Sequence, residues 1–292
     1  MEKPLTAVTH NGKFHADDVF GSALLGTIYP KIEITRSRDP SIISGADIVF
    51  DVGGIYDHEH GRYDHHQPGA LRRENGLTRS AFGLLWLHYG SRYCDGNERV
   101  VDTIDRQLVV GIDARDNGEL TSFGDMRAPD YGISQRIEQL NPIVGTPETY
   151  DGQFRLAVGE AASILARMRE KVEAELRDDD YVREQLAQSP DLRYVVVDRQ
   201  IAPSASLSEI DSLQYLIFPE VTNGTWQVYA LPMVQDQFTA KHPFPESWAG
   251  LTDEQLVHAT GVDGVLFCHK KRFLVVAASR EAAISIVTQS LE

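Results

Sequence analysis

The stretch LTAVTHNGKFHADDVFGSALLGTI, residues 5–28, decides how the first half of the chain is read. LTAVTH is a short, largely apolar run closed by His10, and it reads as a buried strand. NGKFHADD is a loop. DDVFGSALLGTI places two acids in a first helical turn, where the helix dipole favours them, and continues with helical apolar spacing. The same alternation follows. KIEITRS (31–37) reads as a second strand, and ADIVFDVGG (46–54) as a third, closed by an acid and two glycines. SAFGLLWLHYG (80–90) reads as a helix with a glycine stop at Gly90, and NERVVDTIDRQLVVGIDARDNG (97–118) as a long second helix. Strands alternating with helices predict an α/β domain with a mostly parallel sheet over residues 1–150. In such sheets the reactive side chains gather at the carboxyl ends of strands, and both His10 and Asp51 stand at such ends.

Beyond residue 117 the pattern changes. Residues 117–150 are richer in Gly, Pro, Asn and Ser and read as irregular. FRLAVGEAASILARMREKVEAEL (154–176) is an amphipathic helix that connects two halves, assigned to residues 151–184. From 185 to 292 the chain reads as a smaller α+β domain. Its strands are LRYVVVD, LQYLIFPEV and TWQVYALP, with a hairpin turn in VTNGTW. The helix LTDEQLVHATG, the strand pair GVLFCHKKRFLVVAAS and the closing helix REAAISIVTQSLE complete it.

Composition narrows the partners. The 292 residues carry 28 Lys and Arg against 43 Asp and Glu, a net charge of −15, so a broad basic grip on nucleic acid is not expected. A polyanionic substrate needs local attraction from metal ions or a few placed arginines. Two distant cysteines, Cys94 and Cys268, make neither a disulfide scaffold nor a CxxC metal site and suit a reducing cytoplasm. Neither a signal peptide nor a membrane span is expected.

The chemistry concentrates in four places. THNGKFHADD offers His10, His15, Asp17 and Asp18; VFDVGG offers Asp51; RYDHHQ offers Asp64, His65 and His66; GIDARDNG offers Asp113 and Asp116. Taken singly, a histidine at a strand end is more often structural, an aspartate before Gly-Gly is usually a turn residue, and an acid in ARDNG can end a helix. Taken together, mixed His and Asp donors suit Mn²⁺, Mg²⁺ or Zn²⁺. Paired metals need a bridging carboxylate, for which Asp51 is well placed, and can clamp both oxygens of a phosphoryl transfer.

These four motifs, in this order, resemble the DHH phosphoesterase superfamily, and more closely the melanocyte proliferating gene (Myg) family of DHH-like exonucleases. The C-terminal GVDGVLFCHKKRFLVVAASREAA is similar to the end of that family, where a smaller domain carries substrate contacts. The superfamily's first motif is HxxxDxD; here His10 is followed after four residues by His15 and then Asp17. A histidine in place of an acid shifts preference toward Zn²⁺ or a softer Mn²⁺ site.

The resemblance implies two ions, Mn²⁺ first with Mg²⁺ or Zn²⁺ as alternatives. One is held by His10, His15 and Asp51, the other by Asp17, Asp51, His65 and Asp113. A water bridging them is the nucleophile, Asp51 and His66 are catalytic, and His66 contacts the scissile phosphate. Asp64 is either an orienting residue for a histidine ring or a turn acid. Substrate contacts are expected from His66, from Arg36 or Arg38 in TRSRD, and from His269, Ser279 and Arg280 in the second domain. The bland reading of that last cluster is a basic edge strand. Ser80 reads as an N-cap, and Asp116 and Asn117 as the pocket edge. His58 and His60 read as turn residues of a hairpin centred on Gly61.

The function that follows is a metal-dependent phosphodiesterase, a 3′–5′ exonuclease acting on RNA or short oligonucleotides in the cytoplasm. Oligomeric state is left open, a homodimer included. The alternatives are a hydrolase of a small phosphate ester, nucleotide, cyclic dinucleotide or pyrophosphate, and a non-enzymatic, metal-stabilised binding protein.

Overall fold

Three parallel pairings build the first sheet, and each leaves a loop at the same edge. The computed structural model describes residues 4–119, 132–234 and 236–292. In it β1 (Thr6–Thr9) is followed by α1 (Ala16–Ile28), β2 (Glu33–Arg36), the short α2 (Pro40–Gly45), β3 (Ile48–Phe50), β4 (Tyr56–Asp57) and β5 (Arg62–Tyr63). The spatial order is β2-β1-β3-β5-β4, with β4 alone antiparallel. The sheet is therefore mostly parallel, as the alternation of apolar runs predicts. Val8, Ile48, Val49 and Phe50 are buried, which is what a strand covered on both faces requires.

Helices α3 (Ala81–Tyr93), α4 (Glu98–Ile104) and α5 (Val110–Asp116) follow. Between α4 and α5 the expected single helix passes through a π-helical turn at Asp105–Val109. Ser80 caps α3, accepting from the Gly83 amide. Gly21 lets α1 press against α3 and the sheet, because a Cβ there would lie 2.9 Å from Leu85 Cδ1 and 3.3 Å from Phe50. The stretch read as irregular holds a short helix, α6 (Ile133–Glu138), which buries Ile137; its residues 120–131 lie outside the described residues. The connecting helix α7 (Tyr150–Ala187) is longer than its amphipathic core suggests.

The chain divides into two compact units, the first ending at Val172 and the second beginning at Glu173. In the second, β6 (Tyr194–Val196), β7 (Tyr215–Glu220), β8 (Thr225–Ala230), β11 (Val265–Cys268) and β12 (Leu274–Ala277) form a sheet of order β11-β12-β8-β7-β6, antiparallel except for β6–β7. A separate ribbon pairs β9 (Pro232–Met233) with β10 (Asp236–Ala240). Helices α8 (Asp253–Thr260) and α9 (Arg280–Ser290) belong to one core, with Leu256, Ala283, Ile286 and Val287 against Ile217, Val228 and Val275. Val182 and Leu186 belong to another, with Val195, Leu216 and Phe218. This is the α+β domain the strand and hairpin signals predict.

One turn matters for the site. Gly61 joins β4 to β5 with φ +68°, and a Cβ on it would sit 2.3 Å from the Asp47 carbonyl oxygen. Only glycine fits both the backbone and the space. The turn fixes β5 against β3 and so sets where residues 64–66 emerge.

A candidate metal centre at the carboxyl ends of the strands

β1, β3 and β5 run parallel, so the residues just past their ends converge: His10 after β1, Asp51 after β3, and Asp64, His65 and His66 after β5. The first turn of α1 brings Asp17 and Asp18, and the end of α5 brings Asp116. Asp17 and Asp18 are wholly buried, and Asp51, His10 and His65 nearly so.

Asp51 lies at the centre. It leaves the β3 ladder with φ +55°, a left-handed backbone that costs a non-glycine residue about 1 kcal/mol or more. Its two oxygens face different histidines: Oδ2 is 3.1 Å from His10 Nε2, and Oδ1 is 3.4 Å from His65 Nε2. His10 Nε2 is also 3.5 Å from Asp18 Oδ2, and His65 Nε2 is 3.2 Å from Asp116 Oδ2 and 3.7 Å from Asp17 Oδ2.

Surrounding groups aim these rings. Asn117 Nδ2 donates to the carbonyls of Thr78 (3.1 Å) and Asp113 (2.9 Å), which fixes the amide and leaves Oδ1 as the acceptor facing His65 Nδ1 at 3.1 Å. Nδ1 therefore carries a hydrogen, and Nε2 is the atom turned to the three carboxylates. Asp64 Oδ1 accepts from the amides of His65 (2.8 Å) and His66 (3.2 Å) and lies 2.7 Å from His66 Nδ1. Its Oδ2 accepts from the Gly54 amide. Of its two readings, the structure gives Asp64 the orienting one, with His66 as its ring.

The electrostatics of so many buried acids are severe. Burial, then the charges of Asp51 and Asp116, hold Asp17 well above the usual carboxylate range. Burial and the Asp51 charge push Asp18 up to about 8. Burial and Asp51 also raise Asp116. Burial works against the charge of Asp51 too, but its close contacts with His10 and His65 outweigh it and hold Asp51 down to about 2. Burial opposes protonation of His65, yet the nearby Asp51 carboxylate and the charge of Asp116 raise it to about 9. His10 is raised by the same contest, whereas burial lowers His15.

A metal fits this donor set. Asp17 Oδ1 and Oδ2, Asp18 Oδ2 and His65 Nε2 are buried atoms with no hydrogen-bond partner, a costly state unless a cation meets them. His10, Asp18 and Asp51 lie close enough for one ion; His15, Asp17 and Asp116 form a second group; Asp51, Asp64, His65 and His66 form a third. Oxygen and imidazole donors of this kind suit Mn²⁺, Mg²⁺ or Zn²⁺.

Two expected ligands are placed differently. Asp113 is turned away from the cluster. Its carboxylate accepts from Arg73 Nε (2.5 Å), Ser80 N (2.9 Å) and Ser80 Oγ (2.7 Å), while Arg73 also grips Asp105 at 2.6 and 2.9 Å. It fastens α5 to the start of α3, where a Cβ on Gly83 would lie 2.2 Å from its oxygen. Asp116, three residues on, faces His65 instead. His15, expected beside His10 and Asp51, groups with Asp17 and Asp116 at the more exposed side, and Asp18 takes the place next to His10.

Of the two arginines in TRSRD, Arg36 has a buried side chain that does not line the cavity over the cluster. It pairs with Asp151 at 3.0 Å, donates to the Gly12 carbonyl and lies over Phe14 and Phe154. Arg38 borders the cavity of about 390 Å³ over the cluster, as do Arg115 and His66. His58 stacks on His88 at 3.6 Å, and His60 pairs with Asp57 at 2.6 Å; neither borders that cavity. In the second unit, His269 lines a cavity with Lys270, Lys271 and Phe273, whereas the Ser279 hydroxyl caps α9 by accepting from Ala282 N, with Arg280 as the first helical residue. Arg73 and Arg115 carry no motif signal that sequence reasoning could have used.

A family model, MYG1_exonuc, described as an uncharacterised protein family (UPF0160), matches residues 6–291. The MYG1 protein of Chlamydia trachomatis serovar D is 33% identical over 290 residues, covering 97% of this chain and 95% of its own. The MYG1 exonuclease of Homo sapiens is 30% identical over 322 residues, covering 97% and 85%. A solved pGpG-specific phosphodiesterase from Vibrio cholerae aligns over 99% of both chains at 14% identity with a TM-score of 0.33, a likeness too distant to bear on the fold or the chemistry.

Proposed function

Because the chain belongs to the MYG1_exonuc family, we propose that it is a metal-dependent phosphodiesterase, a 3′–5′ exonuclease acting on RNA or short oligonucleotides. The observation that carries this reading is the buried group of Asp17, Asp18 and His65 atoms without hydrogen-bond partners, gathered around Asp51. His10, Asp18 and Asp51 would hold one divalent ion. Asp17, Asp116, His65 and Asp51 would hold a second, with His15 at the edge. Mn²⁺ suits the mixture of oxygen and imidazole donors, with Mg²⁺ and Zn²⁺ as alternatives. When bound, such ions would supply Lewis acidity, activating water as the nucleophile near neutral pH and offsetting the charge of the phosphoryl group.

The chain's own residues do the rest. Asp64 holds the Nδ1 side of His66, whose side chain is 63% exposed. Its other nitrogen is then available to contact the scissile phosphate and to give a proton to the leaving oxygen. Arg38 and Arg115 bring positive charge to an otherwise acidic protein. Asn117 keeps His65 Nε2 turned inward. In the second unit, His269 offers a substrate contact beside Lys270 and Lys271, and Arg280 another. Cys94 and Cys268 are both buried, and with them we place the protein in a reducing, cytoplasmic setting. Among the described residues, no helix is long and apolar enough to cross a membrane.

The test is hydrolysis of a 3′-labelled short RNA with Mn²⁺. Turnover is expected in the native protein and a loss of at least about a hundredfold in Asp51→Asn and His65→Ala, with the fold retained by circular dichroism. Metal binding without turnover on any phosphate ester overturns the enzyme reading in favour of a metal-stabilised binding protein. The net charge of −15 favours a second reading, a dinucleotide or small phosphate ester rather than a long polyanion. Comparing a dinucleotide with a 20-mer separates the two.

A further inference from the structure

A second cavity of about 590 Å³ adjoins the metal centre, with Arg38 on the rim of both. Its walls are Ile43, Val49, Val52 and Ile55, and Arg62 closes it on another side. Ile55 is 55% exposed, a large apolar side chain left in water. Gly53, at φ +100°, adds no side chain, and a Cβ there would point at Ile43 and Val49, both of which line the cavity. The volume lies within the range of about 300–1,000 Å³ typical of small-molecule sites.

The charges say what would lie there. No carboxylate lines this cavity. Arg38 is exposed and makes no hydrogen bond or ion pair among the described residues, an unneutralised cation in an acidic protein. Arg62 is held in place by donating to the Ala46 carbonyl at 3.1 Å. Ser44, the one hydroxyl in the lining, already donates to the Ser41 carbonyl. A ligand here meets branched aliphatic side chains and guanidinium groups, and few side-chain groups that read hydrogen-bonding edges. A nucleobase suits this, since every base has an apolar face and most offer carbonyl or ring-nitrogen acceptors. The position of Arg38 lets its guanidinium take the phosphate that joins such a base to the metal centre.

We infer that this cavity is a nucleobase subsite of low sequence preference, holding the base next to the scissile phosphate while Arg38 holds the phosphate. The inference rests on reading the neighbouring centre as a phosphodiesterase site. It makes the preferred substrate a nucleotide chain rather than a simple phosphate ester.

Two measurements test it on the full chain with Mn²⁺. The first compares kcat/KM for a dinucleotide and for the same phosphodiester with one base removed. The native protein is expected to favour the intact dinucleotide roughly tenfold, mainly through KM, and to do so about equally for purines and pyrimidines. Ser44→Trp, which fills the cavity from an exposed position, and Ile55→Asp, which puts a negative charge at its mouth, are expected to bring that ratio toward one. The second measures binding of adenosine monophosphate and of inorganic phosphate by calorimetry. Ser44→Trp is expected to weaken only the former. Base-dependent binding lost in Ser44→Trp without any turnover keeps the subsite and overturns the phosphodiesterase reading. Turnover with no base preference, or a preference unchanged in both folded variants, overturns the subsite alone. Absence of both turnover and binding overturns both.

Discussion

Asp113 and Asp116 stand three residues apart on one helix with different partners, so exchanging each separates a fastening from the ligand role proposed for Asp116. Asp113→Ala removes three hydrogen bonds and leaves Arg73, 7% exposed at its side chain, with Asp105 alone. Breaking a buried pair costs about 3–5 kcal/mol, and the surviving Asp105 contact places this case near 3. At roughly 2–4 °C per kcal/mol for a unit of this size, the melting temperature falls by about 6–12 °C. Asp116→Asn removes one of several crowded acids, so the metal-free melting temperature stays level or rises. With Mn²⁺ at a hundred times its dissociation constant, binding adds about 2.7 kcal/mol, or roughly 5–11 °C. Asp113→Ala should show this same rise from its lower baseline. In Asp116→Asn, a hundredfold loss of affinity reduces the rise to about 1 °C. Thermal melts across a Mn²⁺ titration read both effects. A full metal response in Asp116→Asn, or its loss in a folded Asp113→Ala, refutes the assignment.

Three further outcomes follow from the same geometry. Asp17 and Asp18 have folded-state pKa values raised above the ordinary carboxylate value, and His65 is raised to about 9. Such groups favour the folded state below their unfolded pKa and lose that contribution as pH rises through the folded one. The metal-free protein should therefore melt at progressively lower temperature from about pH 5 to pH 9, and the gain on adding Mn²⁺ should be larger at pH 8 than at pH 6; a gain independent of pH counts against the metal assignment. Gly61→Ala forces a Cβ to within 2.3 Å of the Asp47 carbonyl oxygen at φ +68°, so it should cost about 2 kcal/mol or more by urea unfolding. Asn117→Leu should lower Mn²⁺ affinity by about 10–100-fold, with Asn117→Asp restoring part of it because a carboxylate still accepts from His65 Nδ1; equal loss in both would make the residue's role purely one of packing.

Much of this architecture was legible in the residues because burial writes a strong signal. Apolar runs alternating with helical periodicity predict the parallel sheet, and the strand ends then bring His10, Asp51 and His65 together without further information. What the sequence left open was direction. Asp113 and Asp116 share a helix face by spacing, and only the Arg73 and Ser80 partners, distant in sequence, divide them. Asp17 and Asp18 are adjacent in a loop-to-helix junction whose helical phase no pattern sets, so the carboxylate beside His10 could not be chosen. Arg36 and Arg38 alternate as strand neighbours, but β2 ends at Arg36, and Phe14 and Phe154 draw that guanidinium into the core. The π-helical turn at Asp105–Val109 places Asp105 against Arg73, a register that 3.6-residue periodicity does not contain.

The backbone of Asp51 joins fold to chemistry. Had β3 continued, its next residue would have stayed in the ladder, with its side chain on one face of the sheet. The left-handed turn at Asp51 ends the strand and lifts the carboxylate past the sheet edge, where its two oxygens meet histidines from two different neighbouring strands. Glycine would adopt that backbone without strain, and two glycines do follow. An acid tolerated there at a cost of about 1 kcal/mol or more implies a compensating interaction. The close contacts with His10 and His65 supply part of it and hold Asp51 ionised, while its neighbours Asp17, Asp18 and Asp116 are pushed toward protonation. One fixed anion amid acids pushed toward protonation is what the bridging role proposed for Asp51 requires.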